Sequence, residues 1–91
     1  MGLVFGALAD PSRRQVIGYL SDRGTATATE LTGELPMSRQ AVAKHLATLA
    51  DAGLVESERQ GRETRYRLTD AGEEWDDRLD ALRNHLEKRK R

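Results

Sequence analysis

The sequence has 91 residues and no cysteine. That absence excludes a disulfide framework, a thiolate metal site and a cysteine nucleophile together. There are only two prolines, Pro11 and Pro36, so each marks a boundary rather than a proline-rich linker. No apolar run approaches the roughly 18 residues of a membrane span, and no signal peptide is visible. There is no internal repeat and no low-complexity segment. A nucleophile–base pair, a phosphate-cradling glycine loop and a paired-carboxylate site are all missing, which argues against an enzyme. What remains is a soluble, cytoplasmic, single-domain chain spanning residues 1–91. Its core would be thin for a monomer, so oligomerisation is an open route to stability.

There is also no net charge: 15 basic residues balance 15 acidic ones. The balance hides an uneven layout. Arg39, Lys44, Arg59, Arg62, Arg65 and Arg67 fall between Pro36 and Leu68, against Asp51, Glu56, Glu58 and Glu63. The following stretch, Asp70 to Asp80, is acidic, and Lys88 to Arg91 is basic. A zero total therefore does not exclude an anionic partner, because distribution matters more than the sum. Charged residues make up 33 % of the chain and hydrophobic residues 37 %, yet the apolar positions are strongly periodic, which argues against disorder.

Local signals divide the chain. Gly2 to Ala9 is a short apolar helix. Asp10-Pro11 starts a second, with Val16, Ile17 and Leu20 at helical spacing and Gly24 as its cap. Thr27-Ala-Thr-Glu30 has the form of a capping box and opens a third helix that Pro36 ends. Ser38 then caps a fourth, which Gly53 closes. From Val55 to Leu68 the period changes from helical to alternating, with Gly61 between two runs, which predicts a β-hairpin. Thr69 caps a final helix over about 69–88, acidic at its start and basic at its end as the macrodipole prefers. The fold class is mainly α with a small β-hairpin.

The third and fourth helices, joined by a tight turn through Pro36, form a helix-turn-helix, whose second helix enters a major groove. Val42, Leu46 and Leu49 lie on one stripe of that helix, and Gln40, Ala43, Lys44 and Ala47 on the other. The two alanines allow close approach. Gln40 can donate and accept at a base edge, Arg39 and Lys44 can reach guanine edges or phosphates, and Ser38 with the first-turn amides suits a phosphate oxygen. Arg59, Arg62, Arg65 and Arg67 crowd the hairpin, a density suited to a phosphate backbone or narrow minor groove. Glu56, Glu58 and Glu63 could instead pair with them across the strands.

Three segments, ALADPSRRQVIGYL, TATELTGELPMSRQAVAKHLATLADAGLV and ESERQGRETRYRLT, together resemble the ArsR family of winged helix-turn-helix regulators. The resemblance covers nearly the whole chain. It implies a homodimer that binds double-stranded operator DNA, represses, and releases when an effector binds. It implies that Ser38, Arg39, Gln40, Lys44 and His45 lie at the groove, with Gly61 and Arg62 at the tip of the wing. Founding members bind metal through cysteines in the third helix, where this chain has TATELTGEL, and others through Asp and His on the last helix. Here His45 and His85 are isolated, so no metal and no cofactor is expected, and the chain resembles the cysteine-free branch with an unidentified small-molecule effector.

Trp75, Leu79, Leu82 and Leu86 are spaced four, three and four, a narrow coiled-coil-like stripe that suits a dimer seam. The same stripe could pack on its own domain. The resemblance puts the dimer contact on the first and last helices, which makes Leu3, Val4 and Phe5 the partners of this stripe. A winged-helix protein-interaction module without specific DNA binding is the alternative, since fold alone does not fix function. Such a module would not need the basic side chains of the fourth helix or the hairpin arginines.

Overall fold

A computed structural model describes residues 2–89 of the chain. The basic tail, Lys88 to Arg91, lies outside the residues whose side chains are described. Among these described residues five helices and three strands follow in the order α1 (Gly2–Ala9), α2 (Pro11–Arg23), β1 (Ala26–Thr27), α3 (Ala28–Glu34), α4 (Arg39–Asp51), β2 (Val55–Gln60), β3 (Glu63–Leu68) and α5 (Asp70–Arg89). This is the expected winged helix-turn-helix with one addition. The hairpin is part of an antiparallel three-stranded sheet, ordered β1-β3-β2, in which Ala26 pairs with Tyr66 and Thr27 with Arg65. Two residues are too few to show alternation, so β1 leaves no periodic signature.

The helix starts follow local chemistry. The Asp10 carboxylate accepts from the Ser12 amide at 2.8 Å, with Pro11 next in line. Thr27 and Glu30 close a complete capping box on α3. Ser38 Oγ accepts from the Ala41 amide at 3.1 Å. Gly24 and Gly53 end α2 and α4 with φ of 83° and 77°, a region that glycine enters without steric cost.

The LADPSRR segment turns a corner between α1 and α2. Arg13 donates to the carbonyls of Ala7 and Gly6, and Arg14 to that of Leu8. These are the last carbonyls of α1, which have no partner within their own helix. Two cations at the C-terminal end of α1 also match its dipole. The corner fixes how α1 leaves the body.

The core lies where α2, α3 and α4 converge over the sheet. Val16, Ile17, Leu20, Leu31, Val42, Leu49 and Leu54 are fully buried, and Val55 and Leu68 close it from the strands. The α4–wing junction is tight. Thr69 donates from its amide to the Leu54 carbonyl and from its hydroxyl to the Gly53 carbonyl, and its hydroxyl oxygen accepts from the Gly72 amide. A side chain at Gly72 would run into the Leu54 carbonyl oxygen, so α5 leaves the body against bare backbone.

Candidate nucleic-acid interface

The exposed face of α4 carries Arg39, Gln40, Ala43, Lys44 and Ala47. The opposite face packs inward through Val42, Leu46 and Leu49. Ser38 stands exposed at the start with its oxygen committed to the cap, leaving its O–H free to donate outward. Arg39 reaches back across the turn and donates to Thr29 Oγ1 at 3.3 Å, linking the two helices of the motif. Gln40 and Lys44 lie one turn apart and project together, and the small side chains of Ala43 and Ala47 leave that surface low.

His45 does not belong to this face. It is only 8 % exposed. Three residues after Val42 and four before Leu49, it shares the core stripe, and helical geometry turns it inward. Its Nδ1 is buried without a hydrogen-bond partner. The expectation that His45 reaches the groove is therefore corrected.

The wing sorts its arginines in two. Arg67 donates to Glu56 and Glu58, each at 2.9 Å, and this pairing raises its pKa further above the ordinary arginine value. Arg65 donates to Thr25, Glu63 and Glu30, each at 3.0 Å. Cross-strand register explains Arg67, which sits opposite Glu56. Arg59 and Arg62 carry no ion pair to any described residue. Both are exposed beside the Gly61 turn, where φ is 62°, and Arg59 donates to the Gly61 carbonyl at 3.0 Å. The cationic tip is thus Arg59 and Arg62. Arg65, expected among the DNA contacts, is spent on contacts within the protein.

A groove of about 540 Å³ separates that tip from α3, lined among others by Thr29, Glu30, Arg62 and Thr64. Its α3 wall carries the capping box. The Thr27 amide, and then Arg65, hold the Glu30 carboxyl below the ordinary glutamate pKa. Of the partners of Arg65, Glu63 was within reach of sequence reasoning, but Thr25 and Glu30 escape it because they lie 40 and 35 residues away. Only the capping box in which Glu30 takes part was visible locally.

A second surface is apolar. Leu3, Phe5, Leu82 and Leu86 are 67 %, 56 %, 55 % and 50 % exposed. Trp75, Leu79 and Val4 are half-buried against the core of their own chain. Phe5 meets Trp75 edge-on, with ring centroids 5.7 Å apart. The stripe on α5 therefore divides. Its first two members serve the domain, and its last two, with Leu3 and Phe5 of α1, stand open. Among the described residues no group of three or more His, Cys, Asp or Glu side chains could hold a metal ion. No described helix is long and apolar enough to cross a membrane.

Comparison with known proteins gives the family of the fold. Residues 8–58 match the helix-turn-helix domain family. The chain is 46 % identical over 65 residues to an uncharacterized HTH-type transcriptional regulator of Bacillus subtilis, YuzN, covering 65 % of this chain and 71 % of that one. It is 32 % identical over 77 residues to the arsenic resistance transcriptional regulator ArsR1 of Pseudomonas putida, covering 85 % of this chain and 60 % of that one. Among solved structures, an ArsR-like transcriptional regulator from Rhodococcus sp. RHA1 superposes with a TM-score of 0.73 at 40 % identity, covering 96 % of this chain and 90 % of that one. With a helix-turn-helix that fills its centre and relatives that are transcriptional regulators rather than enzymes, the chain belongs to the ArsR family of winged helix-turn-helix transcriptional regulators.

Proposed function

We propose that the protein represses transcription in the cytoplasm as a homodimer bound to an inverted-repeat operator. The observation that carries this reading is the pairing of two exposed features on one chain: the Gln40–Lys44 face of α4 and the wing tip bearing Arg59 and Arg62, neither of them ion-paired to any described residue. A major groove takes the helix, and the adjacent phosphates or minor groove take the wing. Gln40 reads a base edge. Arg39 and Lys44 reach guanine edges or phosphates, and Ser38 donates to a phosphate.

The open apolar surface of α1 and α5 supports the dimer. Leu82 and Leu86 on one chain would bury against Leu3, Phe5 or their own symmetry mates on the second, as a two-fold interface requires. Half-site centres would then lie about 34 Å apart, or a multiple of that, on one face of the duplex. Selection of bound sequences from a random DNA pool tests the reading directly. An enriched inverted repeat supports it. Gln40→Ala should cost about 1–3 kcal/mol on that repeat and relax base preference at one position. Arg62→Ala should weaken all sequences alike. Recovery of no enriched sequence at moderate salt would refute specific operator binding.

A further inference from the structure

We infer that Arg65 is a positioning residue, which latches the wing to the helix-turn-helix through Thr25 and Glu30 and so sets where Arg59 and Arg62 meet DNA. The inference rests on the proposed DNA-binding reading but assigns Arg65 a role apart from DNA contact.

The wing is fixed at its base, where Tyr66 packs against the core. It joins α4 at Val55 and α5 at Leu68, the buried pair at its base. Among the described residues its only strand partner outside the hairpin is β1, which is two residues long. Beyond that pairing, β2 and β3 project as a two-stranded ribbon, and an isolated ribbon of this kind is marginally stable in water. Arg65 sits in β3 opposite Thr27, at the point where the support of β1 ends.

Its guanidinium uses all three nitrogens. Nε donates to Thr25 Oγ1 in the segment before β1, Nη2 to Glu30 Oε1 on α3, and Nη1 to Glu63 Oε2 on its own strand. The same Glu30 oxygen accepts from the Thr27 amide at 2.8 Å. One carboxylate oxygen thus closes the cap of α3 and holds the wing arginine. A planar fork fits three acceptors at fixed angles in a way that a lysine ammonium would not. The Arg65 side chain is 24 % exposed, so the pairs are partly shielded from solvent. A phosphate could recruit this guanidinium only by displacing these acceptors.

The two roles for this network differ in sign. If Glu30 were only an acidic group beside DNA, neutralising it would strengthen binding. If it holds the wing, neutralising it weakens binding. Glu30→Gln is the discriminating variant, because glutamine can still accept from the Thr27 amide in a capping box. Thr25→Val removes a second acceptor with no change of charge.

The test has two arms on the intact protein. Operator titrations of Glu30→Gln and Thr25→Val should each give about threefold weaker binding, the size of a partly exposed ion pair in the first and of a single hydrogen bond in the second. In the Glu30→Gln background the penalty of Arg62→Ala should shrink, since a free wing no longer presents its tip. Binding by Glu30→Gln as tight as or tighter than wild type, or additive penalties, would overturn the inference. Without DNA, hydrogen exchange of the amides from Arg59 to Glu63 should quicken in both variants while those from Val16 to Leu20 keep their protection. Unchanged exchange at the wing tip would overturn the latch by itself. Faster exchange in a protein that binds no operator would keep the latch and defeat the DNA-binding reading.

Discussion

Gly18 and Gly72 both sit in helices, yet alanine should act on them in opposite directions. Gly18 is in the middle of α2, and a methyl group there would meet nothing within 4 Å. Removing its excess backbone freedom should stabilise the protein by about 0.5–1 kcal/mol. Gly72, in the first turn of α5, gains the same helix propensity but loses much more. Its methyl would collide with the Leu54 carbonyl oxygen and press on the Leu68 Cβ at 3.3 Å. Neither neighbour can swing aside, since one is backbone bonded to the Thr69 amide and the other is core. Overpacking of this kind costs about 1–3 kcal/mol, so the clash outweighs the propensity gain. For a domain of this size, 1 kcal/mol moves the melting midpoint by about 4–8 °C. Gly72→Ala should therefore melt several degrees below wild type and Gly18→Ala a few degrees above. Both melts are followed by circular dichroism at one protein concentration, because a dimer's midpoint depends on it. Gly72→Ala should also lose operator affinity beyond its loss of stability, because the shifted α5 carries Leu82 and Leu86 with it. A Gly72→Ala midpoint at or above wild type would refute the close packing of α5 on the Leu54 backbone.

Leu82→Glu should give a monomer by sedimentation and much weaker operator binding, because two half-sites no longer act together; a wild-type monomer at micromolar concentration would remove the basis for this. Acid should destabilise the protein through Asp10 and Glu30. Their pKa values are lowered by the amides of Ser12 and Thr27 first, so their contribution is full above the ordinary values of 3.8 and 4.5 and is lost as pH falls through the lowered folded-state values. Melting midpoints between neutral pH and pH 3 check the sign, and Glu30→Gln should flatten part of the fall. Zn²⁺ at stoichiometric, micromolar concentration should leave operator affinity unchanged, since a tetrahedral site needs about four ligands and none is assembled on the described residues. A tenfold loss of affinity with Zn²⁺, abolished by His85→Ala, would show a site on α5.

What the sequence made legible was set by how far apart the interacting groups lie. Four of the described helix starts are decided within three residues: Asp10 by Ser12, Thr27 by Glu30, Ser38 by Ala41 and Thr69 by Gly72. Such chemistry is readable because the chain itself holds the partners close. The hairpin was readable too, from alternation around Gly61. The division of the α5 stripe was not, since Trp75, Leu79, Leu82 and Leu86 share one spacing and only the placement of the core ends the domain at Leu79. His45 is different again: its spacing from Val42 and Leu49 puts it on the core stripe, a signal present in the sequence that likeness to a family overrode.

The wing arginines show why composition alone misleads about a nucleic-acid surface. Four arginines near a turn suggest four cations for a phosphate backbone, and each phosphate contact contributes about 0.9 to the salt slope of binding. The register changes that sum. Arg67 falls opposite Glu56 and within reach of Glu58, and Arg65 reaches Glu30 and Glu63. Two guanidinium groups are thereby neutralised before DNA arrives, and two remain, both at the tip. On the proposed reading the acids that seemed to compete with DNA binding would concentrate it: they hold Arg65 and Arg67 at the base of the ribbon and leave Arg59 and Arg62 as its charged end. On the proposed reading, a wing built this way would offer fewer phosphate contacts than its composition suggests, in a more fixed place, so more of the affinity would come from α4 and from the pairing of two chains.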